Sequence, residues 1–321
     1  MKRVILCLIV AAALGLTSGG AGFSRQQAPA EVPLDTKPIR VEVLLVNLLV
    51  TVNSKRGSFV TDLTREDFKI IEDDALQTIT NFSSDTNLPL TIALLVDTSS
   101  SVKLKLDFEK DAASDFIYTV MRPQDRAMLI EFDTGVTLLK DLTSNPNEIV
   151  REIKKLKASG GTSMYDAIYL VSEEKLLHEQ GRKAIVILSD GADTTSRYKF
   201  DEALEMARSA DAVIYGVSTA RYGASVDAEG ENALKQLAEE TGGRLIVPYS
   251  PDDIFAKRTL RDQLERAFRQ ISEELRSQYS ISYSSTNQAR DGRYRKIKVK
   301  IARDDLHIRH KKGYIARPTS S

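Results

Sequence analysis

The chain has 321 residues, 42% of them hydrophobic, enough for one large domain or two modest ones with a proper core. Lys+Arg and Asp+Glu balance at 45 each, which argues against a polyanion such as nucleic acid as the main partner. The single cysteine, Cys7, sits in the leader described next, so the remainder offers no thiol, disulfide or cysteine metal ligand.

Residues 1–25 read as a secretory signal peptide: Lys2 and Arg3, the apolar run 4–16, then the small-residue stretch TSGGAGFS. The run is short for a bilayer crossing, so the mature chain is expected to lack a membrane span, with a retained anchor as the competing reading. The expected destination is the periplasm or the cell exterior. Residues 26–37, rich in Gln, Ala, Pro and Glu, read as a flexible lead-in.

Residues 38–86 have a β texture. IRVEVLLVNLLVTVN alternates, SKRGSF turns, and FKIIED and LQTITNFS flank the polar tip Asp73-Asp74 as a hairpin. One helical turn is expected at TREDF. Residues 88–277 then alternate strands (91–96, 127–132, 136–139, 184–188, 212–217, 244–248) with helices near 103–120, 146–157, 163–179, 199–209, 231–241 and 252–277. This alternation predicts a doubly wound α/β fold, a mostly parallel sheet with helices on both faces. FDTGVTLLK follows its predecessor after one tight turn and is expected as an antiparallel edge strand. In the last helix Ile254, Leu260, Leu264, Phe268, Ile271 and Leu275 form a stripe for packing on the sheet.

Residues 278–316 return to short strands: QYSISYSS, YRKIKVKIA, LHIRH and GYIA. Lys296, Lys298 and Lys300 alternate with Ile297, Val299 and Ile301, the pattern of a half-buried strand with a charged outer face. His307 and His310, among Arg309, Lys311 and Lys312, read as part of a solvated basic strand rather than a second metal site. Neither β end has enough strands for a good core, so 38–86 and 278–316 are expected to pair in one β-sandwich. Two independent tails is the alternative.

In an open parallel sheet, ligands bind outside the carboxyl ends of the strands. Three polar clusters fall there: Asp97-x-Ser99-x-Ser101, the Gly-Gly-Thr of SGGTSMYDAI with Thr162, and the Ser-Asp-Gly of VILSDGADTT with Asp190. Each alone is ordinary turn or capping chemistry. Together they make an all-oxygen donor set of low charge, suited to Mg²⁺, or to Mn²⁺ or Ca²⁺, with a coordination position open for water or an acidic group.

These elements resemble the von Willebrand factor type A domain over roughly 88–277. The resemblance implies a metal ion-dependent adhesion site in which Ser99, Ser101 and Thr162 are hydroxyl ligands and Asp97 and Asp190 the carboxylates, one or both through water. It also implies a protein partner presenting an acidic residue to the open position. The flanks VTDLTREDFKIIEDDALQTITNFS and YRKIKVKIARDDLHIRHKKGYIA resemble a bacterial group of exported von Willebrand factor A-related proteins, which implies architecture and export rather than a biochemical role.

An enzyme is not expected. A phosphoryl-accepting aspartate of the haloacid dehalogenase type needs a second aspartate two residues on, where this chain has Ser99. A hydrolytic triad needs a positioned histidine, and His178, His307 and His310 lie away from the three clusters. Ser163 has no glycine-flanked elbow. Two readings therefore stand, a metal-dependent protein-binding module and a structural or assembly factor of the cell envelope with no functional ion; a metal-dependent phosphohydrolase ranks third. The loops at 192–199 and 219–230 are the candidate specificity elements.

Overall fold

Alternation in the first described segment produces β1 (Leu45–Ser54), which buries Val46, Leu48, Val50 and Val52 on one face. A computed structural model describes residues 45–84, 88–219, 228–248, 260–303 and 305–317. The signal-peptide and lead-in readings lie outside these residues, as does the stripe position Ile254. A single 3-10 turn, Arg65–Asp67, supplies the helical turn expected at TREDF. β2 (Phe68–Glu72) and β3 (Ala75–Gln77) form the hairpin, with Asp73 and Asp74 at φ 45° and 66°. Positive φ at both tip residues matches the right-handed twist of the strands and favours short polar side chains. β4 (Ile79–Ser83) follows.

The alternating unit runs β5 (Leu90–Asp97), α1 (Leu106–Val120), β6 (Arg126–Phe132), β7 (Val136–Thr143), α2 (Pro146–Ile153) and α3 (Met164–Glu174). It continues with β8 (Arg182–Ser189), α4 (Phe200–Ser209), β9 (Ala212–Ser218), α5 (Ala228–Thr241), β10 (Leu245–Ile246) and α6 (Leu260–Leu275). The sheet order is β10-β9-β8-β5-β6-β7, parallel except for the edge strand β7. Every residue of β5 is buried, as a central strand covered on both faces requires. Ile92, Leu94 and Val96 face a core with Phe116, Ile153, Phe268 and Ile271 from α1, α2 and α6. Ala93 and Leu95 face the other, with Met164, Ile168, Leu204 and Leu237 from α3, α4 and α5.

After α6 come β11 (Tyr279–Ser284), β12 (Tyr294–Ile301), β13 (Leu306–Arg309) and β14 (Gly313–Ile315). They interleave with the N-terminal strands: one sheet is β13-β1-β11-β4, the other β14-β12-β2-β3. Leu48 pairs Ile281, and Ile70 pairs Val299, both antiparallel. Both sheets contribute to one core, with Leu48, Val50, Phe68, Ile70, Tyr279 and Ile281 among its members. The two β ends thus form a sandwich whose chain connection runs through the whole α/β unit. Lys296, Lys298 and Lys300 are exposed and Ile297 and Val299 buried, as expected.

The basic segment after β13 departs from expectation. His307 is exposed, but His310 and Lys311 are buried. The Val299 N–H donates to His310 Nε2 at 3.2 Å, and Nδ1 bonds the Lys311 carbonyl at 2.7 Å. Lys311 Nζ reaches Asp211 Oδ1 at 2.6 Å. Sandwich and α/β unit meet here, which covers a segment whose composition alone reads as solvated.

Candidate metal centre

The chain leaves β5 for β6 on one side and returns as β8 on the other, so the sheet reverses direction beside β5. A crevice opens at such a point, outside the carboxyl ends of the strands. Asp97 ends β5 and Asp190 follows directly on β8, so adjacent parallel strands bring their carboxylates to one place.

Asp97 is fully buried and held from two sides. Ser99 N donates to its Oδ1 at 2.8 Å, and Ser189 Oγ to its Oδ2 at 2.6 Å. Burial pushes the Asp97 carboxyl up to about 6, against the pull of the Ser189 and Ser99 donors and with a push from neighbouring Asp190. Ser99 Oγ lies 2.9 Å from Ser101 Oγ, and Ser101 Oγ donates to Asp190 Oδ2 at 2.7 Å. Asp97, Ser99, Ser101 and Asp190 therefore form one hydrogen-bonded chain.

Thr162 is buried on the adjacent loop and joins through backbone rather than through that chain. Its carbonyl accepts from Thr194 N at 2.9 Å and Thr195 N at 3.1 Å, and its N–H donates to Thr194 Oγ1 at 3.0 Å. Its loop is tied to the Asp97 turn by Ser100 N to Gly160 O at 3.2 Å and Ser159 N to Thr98 O at 2.7 Å. Beyond Asp190, Gly191 has φ +91°, and a Cβ there would lie 2.5 Å from the Gly230 carbonyl. Only glycine allows the Asp190 turn to sit against the start of α5.

The donor set suits a hard divalent cation. Asp190 Oδ1 is buried and has no hydrogen-bond partner among the described residues, an orphan that a cation or its water would satisfy. No group of three or more His, Cys, Asp and Glu side chains gathers among the described residues, so hydroxyls would carry much of the coordination. The loop 192–199 is pinned as a rim: Asp166 Oδ1 accepts from Arg197 N at 2.8 Å and Tyr198 N at 2.9 Å, and Tyr198 stacks on Tyr169. In the other candidate loop, residues 220–227 lie outside the described residues.

Three residues went unassigned in the sequence. Ser189 lies within the Ser-Asp-Gly motif and holds Asp97. Lys105 and Glu109 are buried beside the site at 3% and 1% exposure. Their signal was register: Glu109 stands in the apolar stripe of Ala113, Phe116 and Val120, where a solvated charge does not belong. A cleft of about 410 Å³ lies elsewhere, at the amino ends of the strands, lined by residues including Asn47, Arg182, Asp211 and Lys311. Its cations are engaged: Arg182 bonds the Leu88 and Leu275 carbonyls, each at 2.7 Å, and Lys311 bonds Asp211.

Residues 92–192 match the family model of the von Willebrand factor type A domain. No curated protein matches the chain. Among solved structures it is similar to an aerotolerance-related membrane protein from Bacteroides fragilis, at 16% identity over 58% of this chain and 98% of that one, TM-score 0.44. It is similar to the PilB minor pilin from Streptococcus sanguinis at 14% identity, covering 59% of this chain and 62% of that one, TM-score 0.44. A von Willebrand factor type A protein from Catenulispora acidiphila matches at 11% identity over 86% of this chain and 74% of its own, TM-score 0.46.

Proposed function

We propose that the chain, whose residues 92–192 match the von Willebrand factor type A domain model, is a metal-dependent binding module for a protein partner outside the cytoplasm. Asp97, Ser99, Ser101, Thr162 and Asp190 would hold Mg²⁺, or Mn²⁺ or Ca²⁺, and the ion would offer a positive open position to a partner's acidic side chain. The observation that carries the reading is the linked set Asp97–Ser99–Ser101–Asp190 with its orphaned Asp190 Oδ1. Export rests on the leader at residues 1–25. Among the described residues no helix is long and apolar enough to cross a membrane.

Calorimetry of the full chain with Mg²⁺ or Mn²⁺ should register one site, lost in Asp97→Ala. Capture from an exported-protein extract should depend on the ion, be abolished by EDTA, and fall in Thr162→Ala while circular dichroism stays unchanged. Capture that persists at full strength in EDTA would point to the second reading, a structural or assembly role without a functional ion.

A further inference from the structure

A fixed positive charge is built into this site. Lys105 caps the start of α1 and is 3% exposed, so its ammonium is buried with its stem. Nζ donates to the Thr219 carbonyl at 2.9 Å, just past β9, and lies 3.8 Å from Asp190 Oδ2. That oxygen already accepts from Ser101 at 2.7 Å. One helical turn on, Glu109 is 1% exposed. Burial pushes Glu109 up to about 8, while Lys105 and the Thr219 hydroxyl pull it down and Asp97 and Asp190 add a further push upward. A buried ammonium and a buried carboxyl are each costly; Lys105 is answered by the Thr219 carbonyl and by Asp190, and its charge eases the ionisation of Glu109.

We propose that Lys105 is the tethered counter-ion of this carboxylate cluster and sets the divalent-cation affinity of the site. The inference rests on the metal reading above. Without an ion, Lys105 offsets the repulsion between Asp97 and Asp190 and lets the site stay folded. With an ion, two cations meet at Asp190, and the ammonium is anchored at Thr219. Each binding event is therefore opposed by a positive charge held a few ångströms away. A serine- and threonine-rich site with two carboxylates is in this way kept weak, filled at high free cation and emptied at low.

The test is calorimetric titration of the full chain with MgCl₂ and MnCl₂, alongside thermal melting with and without ion. Lys105→Met should tighten Mg²⁺ by roughly tenfold or more, since it removes a like charge close to a divalent ion. It should also lower the metal-free melting temperature and enlarge the rise that Mg²⁺ produces. Lys105→Arg should stay near the wild-type affinity. Because Lys105→Met strands Glu109, the same change is made in Glu109→Gln, where no buried carboxylate is left behind, and it should tighten Mg²⁺ there too. A wild-type chain that binds no ion while Lys105→Met binds one also supports the proposal. If the wild type binds and Lys105→Met binds equally or more weakly in both backgrounds, the proposal is overturned and the metal reading stands. If neither the wild type nor any variant binds, both fall.

Discussion

His310 is clamped by backbone on both ring nitrogens, and the clamp chooses its charge state. An N–H donates to Nε2, so Nδ1 carries the proton given to the Lys311 carbonyl, and the ring is neutral. Burial, helped by the Lys312 charge and opposed by the bond to Lys311, holds its titration down at about 4, against an ordinary 6.5. A base whose folded value is depressed stabilises the fold fully above the unfolded value and loses that contribution as pH falls from about 6.5 toward 4. The span is worth about 3 kcal/mol. Chemical denaturation at pH 7 and pH 4 should show the wild-type advantage over His310→Gln shrinking by that order; parallel profiles would remove the argument. Gly191 gives a second residue-scale test, by comparison with Gly57, which shares its positive φ (+84°) but would meet nothing within 4 Å. Both alanine variants carry the backbone strain, so their difference isolates the contact with Gly230. Gly191→Ala should cost at least about 2 kcal/mol more than Gly57→Ala.

At the scale of elements, each strand and helix was legible where side-chain periodicity and burial agree. β5 and β8 are apolar runs because they are covered on both faces, and the antiparallel β7 showed in its tight turn. Errors gathered where one side faces water. β7 runs to Thr143 rather than 139, because an edge strand needs no apolar signal to continue. α1 begins at Leu106 rather than 103, because Leu104, apolar but 92% exposed, imitates a core position, and Ser100–Val102 is drawn into a 3-10 turn instead. That Asp97, Ser99, Ser101 and Asp190 come together was legible because strand ends announce themselves. Lys105 and Glu109 were not, because a charge on a helix ordinarily means solvent. The β2–β3 hairpin tests turn chemistry at this scale. Asp74 at φ +66° bears left-handed strain of roughly 1 kcal/mol, and its exposed pair with Lys298 at 3.1 Å returns about 0–1 kcal/mol. The two nearly cancel. Asp74→Gly should therefore leave the urea midpoint nearly unchanged, whereas Asp74→Val, β-branched at positive φ, should cost roughly 1–2 kcal/mol.

For the whole molecule the question is how a sandwich made of two distant chain ends is joined to the unit inserted between them. All described residues belong to one compact unit, Val43–Ser321, and a buried carboxylate on α6 marks one joint. Glu274 is fully buried and takes Thr51 Oγ1 of β1 and Tyr215 OH of β9 on Oε1, each at 3.3 Å. On Oε2 it meets Arg244 at 2.9 Å, before β10, and Arg309 at 2.6 Å, in β13. One partner on each oxygen comes from the sandwich and one from the α/β unit. The α/β cores draw their buried members from residues 90–275, so the excised 88–277 fragment should fold by itself. Excision removes Thr51 and Arg309 but leaves Tyr215 and Arg244. Glu274→Ala should then cost roughly 2–4 kcal/mol in the full chain, where truncation strands two arginines. In the fragment the cost should fall by at least about 1 kcal/mol, because the coupling to the sandwich is already gone. Calorimetric melting of the four proteins closes the cycle. Equal costs in both contexts would mean that Glu274 serves the α/β unit alone and that the domains are joined elsewhere.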